Sequence, residues 1–162
     1  MSDELSRVRI FAKTVRYSGD KLRAKGSIKR SNDEKNSFFS MNSMLINPLV
    51  TPVISKSIEN VINRLQIPHE SVKAYVYASS DIQAECHAGD DVDCIIRLSS
   101  GLIDILEDKE IDFVVGHEIG HFIYAHGSAI ASNRSESLEF SIQQRAQEIS
   151  ADRIGLLACG SL

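Results

Sequence analysis

The chain has 162 residues, of which 43% are hydrophobic and 25% charged, and its formal net charge is −4. This length suits one domain with a buried core, and the composition is that of a globular protein without the run of roughly 20 apolar residues that a membrane helix needs. The N-terminus lacks the apolar core of a signal peptide, and three cysteines without a CxxC spacing argue against a disulfide framework and a cysteine-based zinc site, so a cytoplasmic location is expected.

The N-terminal part differs in charge from the rest of the chain. Residues 1–35 carry ten Lys or Arg against five Asp or Glu, whereas residues 36–162 carry eight against seventeen. Apolar residues at helical spacing predict an amphipathic helix over residues 4–17, and the polar stretch after it is typical of a linker. We therefore predict a basic helical arm and linker over residues 1–40 and a folded domain over residues 41–162. Without interleaved aromatic residues or a recognition motif, nucleic-acid binding is not expected.

Hydrophobic periodicity predicts both helices and strands in the remaining chain. Four segments with apolar residues at helical spacing predict helices: residues 53–65, a short segment near Leu102, residues 111–123 and residues 138–159. Three β-branched and aromatic runs predict strands: Val72–Ala78, Ile82–His87 and a run within residues 92–102. Ser99 or Ser100 is the expected N-cap of the short helix.

The stretch DFVVGHEIGHFIYAHG, residues 112–127, holds two histidines four positions apart and a glutamate directly after the first. On an α-helix, His117 and His121 leave the same face and can hold one metal ion, and neutral imidazole nitrogens suit zinc. Glu118 projects about 100° around the helix from His117, where it can act as general base on a zinc-bound water. H-E-x-x-H is a motif of zinc metalloproteases, although the bare pattern also occurs by chance.

The alternative is that these polar residues lie on a partly exposed helix and have no chemical role. The apolar residues around them argue against it: Phe113, Val114, Val115, Ile119, Phe122 and Ile123. A helix with apolar residues around most of its circumference should lie inside the protein. There, His and Glu must be paired or bind a metal. A metal site is therefore the favoured interpretation.

A catalytic zinc site needs a third protein ligand. The H-E-x-x-H-x-x-G-x-x-H class would supply a histidine six residues after His121, but Gly127 stands there. The later segment QEISADRIGL offers Glu148 and Asp152, again four apart on one helical face. We predict Glu148 as the third ligand and Asp152 as the acceptor of a ligand histidine's outer N–H. Taken alone, these two carboxylates also fit a solvated helix face.

HEIGHFIYAH followed by QEISADRIGLLA resembles the gluzincin peptidases of the HtpX and CAAX prenyl protease type, family forty-eight of the metallopeptidases, which combine HExxH with ExxxD. CIIRLSSGLIDIL and EIDFVVGHE are similar to that family's approach to the active helix, so the similarity covers roughly residues 53–160. The resemblance implies an α+β, zincin-like catalytic domain, in which a small mixed sheet packs on the HExxH helix and the ExxxD helix follows. It also implies residue roles: one zinc ion on His117, His121 and Glu148, with Glu118 as base and Asp152 behind the ligands.

The resemblance further implies a peptide substrate held by β-augmentation along a strand edge near Ile82–His87. The chain departs from the family in three respects. Many members have membrane helices, and none is expected here. The stretch between His121 and Glu148 is short, and the chain ends soon after ExxxD, where relatives usually continue. A minimal or C-terminally truncated domain is therefore expected.

Other polar residues have weaker claims to the site. His126 projects about 140° away from His121, so it is expected at the helix end, interacting with the helix dipole. His87 is expected to be an exposed strand histidine, although it lies where substrate would run. Cys86 could ligate zinc as a deformylase cysteine does. Three tyrosines remain open as oxyanion stabilisers: Tyr75, Tyr77 and Tyr124.

The favoured function is that of a zinc endopeptidase acting on peptides or unfolded protein segments. Two alternatives remain open at this point. One is a self-inhibited or non-catalytic zinc-binding regulatory module, with the basic arm folded over the groove. The other is a deformylase-like amidase that uses Cys86.

Overall fold

The computed structural model of the protein describes residues 42–87, 94–124 and 138–160. Their elements follow in chain order: β1 (Met44–Leu45), α1 (Pro52–Leu65), a 3-10 turn (His69–Ser71), β2 (Val72–Tyr77), β3 (Ala84–His87), β4 (Cys94–Ser99), α2 (Ser100–Ile105), α3 (Asp108–Ile123) and α4 (Leu138–Cys159). No helix among them is both long enough and apolar enough to cross a membrane. The predicted arm over residues 1–40 and His126 lie outside the described residues, so the domain boundary stays a prediction.

The strands form one mixed sheet in the order β1-β2-β4-β3. β2 and β4 run parallel, with Ala74 opposite Ile96, whereas β1 and β3 are antiparallel to their neighbours. The three predicted strands and the mixed α+β architecture are confirmed, and β1 is an addition that the sequence did not predict. β1 is only two residues long and is held by backbone pairing with β2, so it carries no side-chain alternation to detect.

The predicted helices that fall within the described residues are also confirmed, whereas the helix predicted over residues 4–17 lies outside them. The N-termini of α1, α2 and α3 each have a local signal. α1 begins at Pro52, whose fixed φ suits the first helical position. The Ser99 side chain caps α2 by accepting a hydrogen bond from the Leu102 N–H at 3.2 Å. Glu107 and Glu110 form a reciprocal capping box at the start of α3. These caps fix where α3, the helix with the HExxH motif, begins.

One buried cluster joins the sheet to α1 and α3. Its members come from all three: Ala74, Ile96 and Leu98 from the strands, Ile58, Val61 and Leu65 from α1, and Val115 and Ile119 from α3. Burial of these aliphatic side chains stabilises the domain, by about 1.5–3 kcal/mol for each fully buried Val, Leu or Ile. The cluster holds α3 against the sheet, with the edge strand β3 beside it.

Glycines let α3 and α4 pack at very short range. A Cβ placed on Gly116 would lie 2.3 Å from the Cβ of Ala158, and one on Gly120 would lie 2.9 Å from the α4 backbone. A Cβ on Gly155 of α4 would likewise lie 2.8 Å from the Phe113 ring. Because side chains at these positions would push the helices apart, the glycines allow α4 to approach the histidine face of α3.

Candidate active site

α3 presents its two motif histidines to a common point. The Nε2 atoms of His117 and His121 lie 2.9 Å apart, and the two rings meet edge to face with centroids 4.7 Å apart. Both side chains are largely buried, at 19% and 25% exposure. The Phe113 ring, one turn earlier, lies 6.2 Å from the His117 ring between centroids. The four-residue spacing thus produces a histidine pair on a mostly shielded face.

α4 brings two carboxylates against this pair. Glu148 Oε2 lies 3.4 Å from Nε2 of both His117 and His121. Asp152 Oδ1 lies 3.0 Å from Nδ1 of His117. When His117 donates its Nδ1–H to Asp152, its Nε2 keeps the lone pair that a metal requires. The two helices therefore bring the four predicted residues together at one point.

The spacing of the donor atoms fits a zinc ion. One ligand atom from each of His117, His121 and Glu148 lies within 4.8 Å of the others. Ligands held tetrahedrally at about 2.0–2.1 Å from zinc lie roughly 3.3 Å from one another. The measured separations of 2.9 Å and 3.4 Å lie on either side of that value. Two imidazole nitrogens and one carboxylate oxygen are also a donor set that zinc accepts.

Burial favours the neutral form of His121. It lowers the pKa of His121, and the charge of His117 adds to this effect while the Glu148 carboxylate opposes it. A neutral imidazole is the form that ligates a metal. The electrostatics of the site therefore favour the ligating state.

The Glu118 side chain extends from α3 toward the edge strand β3. Burial, together with the negative charges of Glu148 and Glu85, raises the pKa of Glu118 to about 7. The backbone N–H of Cys86 on β3 donates to the Glu118 carboxylate and opposes that rise. A carboxyl group that titrates near neutral pH can both take up and release a proton under ordinary conditions.

His87 and Cys86 contact groups outside the histidine and carboxylate cluster. His87 Nε2 lies 2.8 Å from Glu85 Oε2, and Glu85 also meets Arg97 at 3.3 Å. The Cys86 thiol lies 2.8 Å from the Cys94 thiol. Because the ligand group found among the described residues contains no sulfur atom, the deformylase-like alternative gains no support.

The tyrosines considered as oxyanion stabilisers lie at different places. The Tyr77 hydroxyl donates to Gln83 at 3.3 Å, and its ring lies against the Arg97 guanidinium at 4.5 Å. Tyr75 stands opposite Arg97 in the pairing of β2 with β4. Tyr124 follows the last residue of α3 and is exposed. The choice of an oxyanion-stabilising residue therefore stays open.

Sequence reasoning missed two contacts that shape the site. One is the close packing of α3 and α4, for which the four-residue spacing of Gly116 and Gly120 was an available signal. The other is the Cys86 N–H donated to Glu118. A backbone donor leaves no trace in residue identity, so this contact had no sequence signal.

Comparisons with known proteins point to a peptidase family. Residues 48–141, more than half of the chain, match the sequence profile of peptidase family M48. The matched stretch includes His117, Glu118 and His121 and ends before Glu148.

Two curated relatives match part of the chain. Metalloprotease YcaL of Escherichia coli strain K12 is 36% identical over 76 residues, which cover 47% of this chain and 26% of the relative. Metalloprotease LoiP of the same strain is 34% identical over 74 residues, covering 44% of this chain and 28% of the relative. The chain thus spans only about a quarter of the length of these relatives.

Proposed function

The chain belongs to peptidase family M48, and on that basis we propose that it is a zinc-dependent metalloendopeptidase acting on peptides or unfolded protein segments. The observation that carries this proposal is the meeting of three ligand atoms, from His117, His121 and Glu148, within 4.8 Å of one another. Beside them lies Glu118, a glutamate whose pKa is near neutral. Ligands and a candidate base together are what metal-assisted hydrolysis requires.

We assign the ion to Nε2 of His117, Nε2 of His121 and a carboxylate oxygen of Glu148. When bound, zinc supplies Lewis acidity, which lowers the pKa of a water molecule and polarises a peptide carbonyl. Asp152 acts on the ligand rather than on the ion, because it accepts from Nδ1 of His117 at 3.0 Å and so fixes the ring orientation and tautomer.

Glu118 is the proposed general base. Its carboxylate takes a proton from the attacking water and returns that proton to the leaving nitrogen. Burial keeps its pKa near neutral, and the Cys86 N–H holds the carboxylate toward β3. A bound cation would lower the pKa from the value in the metal-free chain, which favours the ionised, proton-accepting form.

β3 is the proposed alignment edge for the substrate. In the described sheet it pairs with β4 alone, so the outer side of β3 can accept a peptide as an added strand through main-chain hydrogen bonds. Because Cys86 of this strand contacts Glu118, such a peptide would run beside the base. Recognition of an extended backbone selects peptides and unfolded segments, since folded proteins rarely expose one.

Metal content and casein cleavage together test this proposal. We expect about one zinc ion per purified chain, and casein cleavage that a chelator abolishes. Glu118→Gln should keep the zinc and lose about 10²–10⁴-fold in cleavage rate, because the amide cannot accept the proton. Glu139→Gln is the matched control, since it neutralises an exposed carboxylate on α4, and it should retain both zinc and activity.

Two other outcomes would distinguish the proposed endopeptidase from a non-catalytic or self-inhibited zinc-binding module. A chain that binds zinc but cleaves casein no faster than Glu118→Gln is a zinc-binding regulatory module. Cleavage that appears only after removal of residues 1–40 identifies a self-inhibited enzyme. Cleavage that is unchanged in Glu118→Gln contradicts the assignment of the base.

A further inference from the structure

Two cysteine thiols meet beside the candidate active site. Cys86 Sγ on β3 and Cys94 Sγ on β4 lie 2.8 Å apart. The two strands are antiparallel neighbours in which Cys86 stands opposite Ile96, so Cys94 is a diagonal neighbour on the same face of the sheet. The third cysteine, Cys159, is at the end of α4, where its thiol donates to the Leu156 carbonyl at 3.4 Å. The chain thus has one paired and one separate thiol site.

We infer that Cys86 and Cys94 form an oxidisable pair that closes to a disulfide by exchange with a low-molecular-weight disulfide, such as glutathione disulfide. The Cys86 thiolate attacks one sulfur of glutathione disulfide, which forms a mixed disulfide and releases one glutathione thiolate. Cys94 then attacks the Cys86 sulfur and releases the second glutathione. The protein loses two electrons and two protons, and one glutathione disulfide becomes two glutathione thiols.

The exposure of the two residues sets the order of these steps. Cys94 is buried, at 1% exposure, whereas Cys86 is half-buried and belongs to the edge strand, so Cys86 is the residue that meets the glutathione disulfide first. Contact with Cys94 and burial raise the pKa of the Cys86 thiol, and the charge of Glu118 adds to that effect. Little thiolate is present at neutral pH, so the first step is slow and the second, between touching sulfurs, is fast.

Closure needs a short approach of the two sulfurs. A disulfide has its sulfurs about 2.05 Å apart, so the two thiols at 2.8 Å need to approach by less than about 1 Å. The bond would tie the edge strand β3 covalently to the central strand β4. Since the Cys86 N–H donates to Glu118, the tie also holds the strand beside the base proposed above. We therefore expect a stabilising bond that preserves activity; the part concerning activity rests on the proposed function.

Thiol counting on the full chain tests disulfide formation without relying on activity. After incubation with excess glutathione disulfide at about pH 8.5, where exchange is faster, two of the three thiols should resist alkylation, and the mapped peptides should join Cys86 to Cys94. The thermal unfolding midpoint of the oxidised chain should rise by about 5 °C relative to the reduced chain, and casein cleavage should persist.

Serine variants define the pairing. Cys94→Ser should stop at one glutathione bound to Cys86, because the second attack is lost, whereas Cys86→Ser should leave Cys94 reduced. Cys159→Ser is the matched control and should form the disulfide at the wild-type rate. Three alkylatable thiols in the oxidised wild-type chain, or a bond that includes Cys159, would overturn the inference, and both results come from the wild-type protein. Neither result depends on the zinc content or on the cleavage rate of Glu118→Gln. The disulfide and the proposed function can therefore be rejected independently of each other.

Discussion

The two helices that meet at the candidate site contribute to it in different ways. On α3, the His117 and His121 side chains are 19% and 25% exposed, whereas on α4 Glu148 and Asp152 are 59% and 54% exposed. The histidines are held by the core around them. The carboxylates project from an exposed face and are placed only because α4 as a whole is held against α3. The position of the two histidines therefore depends on burial, and the position of the two carboxylates depends on the contact between the two helices.

Contacts at the far end of α4 reinforce that helix contact. Arg64 of α1 donates to the Ala158 carbonyl and also pairs with Asp112 of α3 at 3.0 Å. Lys109 Nζ donates to the Cys159 carbonyl at 3.0 Å. Cations at a helix C-terminus satisfy its free carbonyls and its dipole. The end of α4 is therefore fixed, and the close packing of the glycines sets where Glu148 lies along α3.

Removing one ligand from each helix is the strongest test of this difference. His121→Ala and Glu148→Ala should each weaken zinc binding by more than about 100-fold, beyond the usual effect of losing an outer partner. In the metal-free chain only His121→Ala should lower the unfolding midpoint, because Glu148 is mostly exposed. Chelator competition measures the zinc affinity, and thermal unfolding in chelator measures the stability. An unchanged zinc affinity in Glu148→Ala would contradict the ligand assignment.

The next test separates the helices by adding one methyl group. Gly116→Ala places a Cβ 2.3 Å from the Ala158 Cβ, so the free energy of unfolding should fall by about 3 kcal/mol, with weaker zinc binding as α4 moves away. Denaturant titration measures this loss. Ala158→Gly removes the opposing atom and should recover much of the loss in the double variant. Equal losses with and without Ala158→Gly would show that helix contact is not the cause.

A smaller effect should appear in the pH dependence of the metal-free chain. Glu118 has its pKa raised from 4.5 to about 7 on folding, so the folded state holds this proton more tightly than the unfolded state does. Its contribution to stability is complete below pH 4.5 and is lost as the pH rises to about 7. The stability of wild type relative to Glu118→Gln should therefore fall by on the order of 2 kcal/mol across this window. A flat difference in denaturant titrations would contradict the raised pKa of Glu118.

The same contrast explains what could be predicted from the sequence. α1, α3 and α4 carry periodic apolar residues, and helix geometry alone places His117 with His121 and Glu148 with Asp152. Relations between elements were harder to obtain. The Cys86 and Cys94 contact depends on the register of β3 with β4, and β1 is defined by backbone hydrogen bonds alone. The residue types therefore predict which side chains share one face of a helix or strand. They predict which elements pack against each other only where a local feature, such as the glycines of α3, indicates a close contact.

Asp152 offers the finest comparison, because it acts on a histidine of α3 from the exposed side of α4. Its Oδ1 lies 3.0 Å from His117 Nδ1, and partners of this kind typically contribute 10–100-fold to metal affinity. Since the Asp152 side chain is 54% exposed, water can replace it, and we expect Asp152→Ala to weaken zinc binding by about tenfold, at the lower end of that range. Asp152→Asn should lose less, because its amide oxygen still accepts from Nδ1–H. Arg153→Ala, an exposed neighbour on the same helix, serves as the control in chelator competition. A loss as large as that of Glu148→Ala would instead make Asp152 a direct ligand, and the division between buried histidines and exposed carboxylates would have to be redrawn.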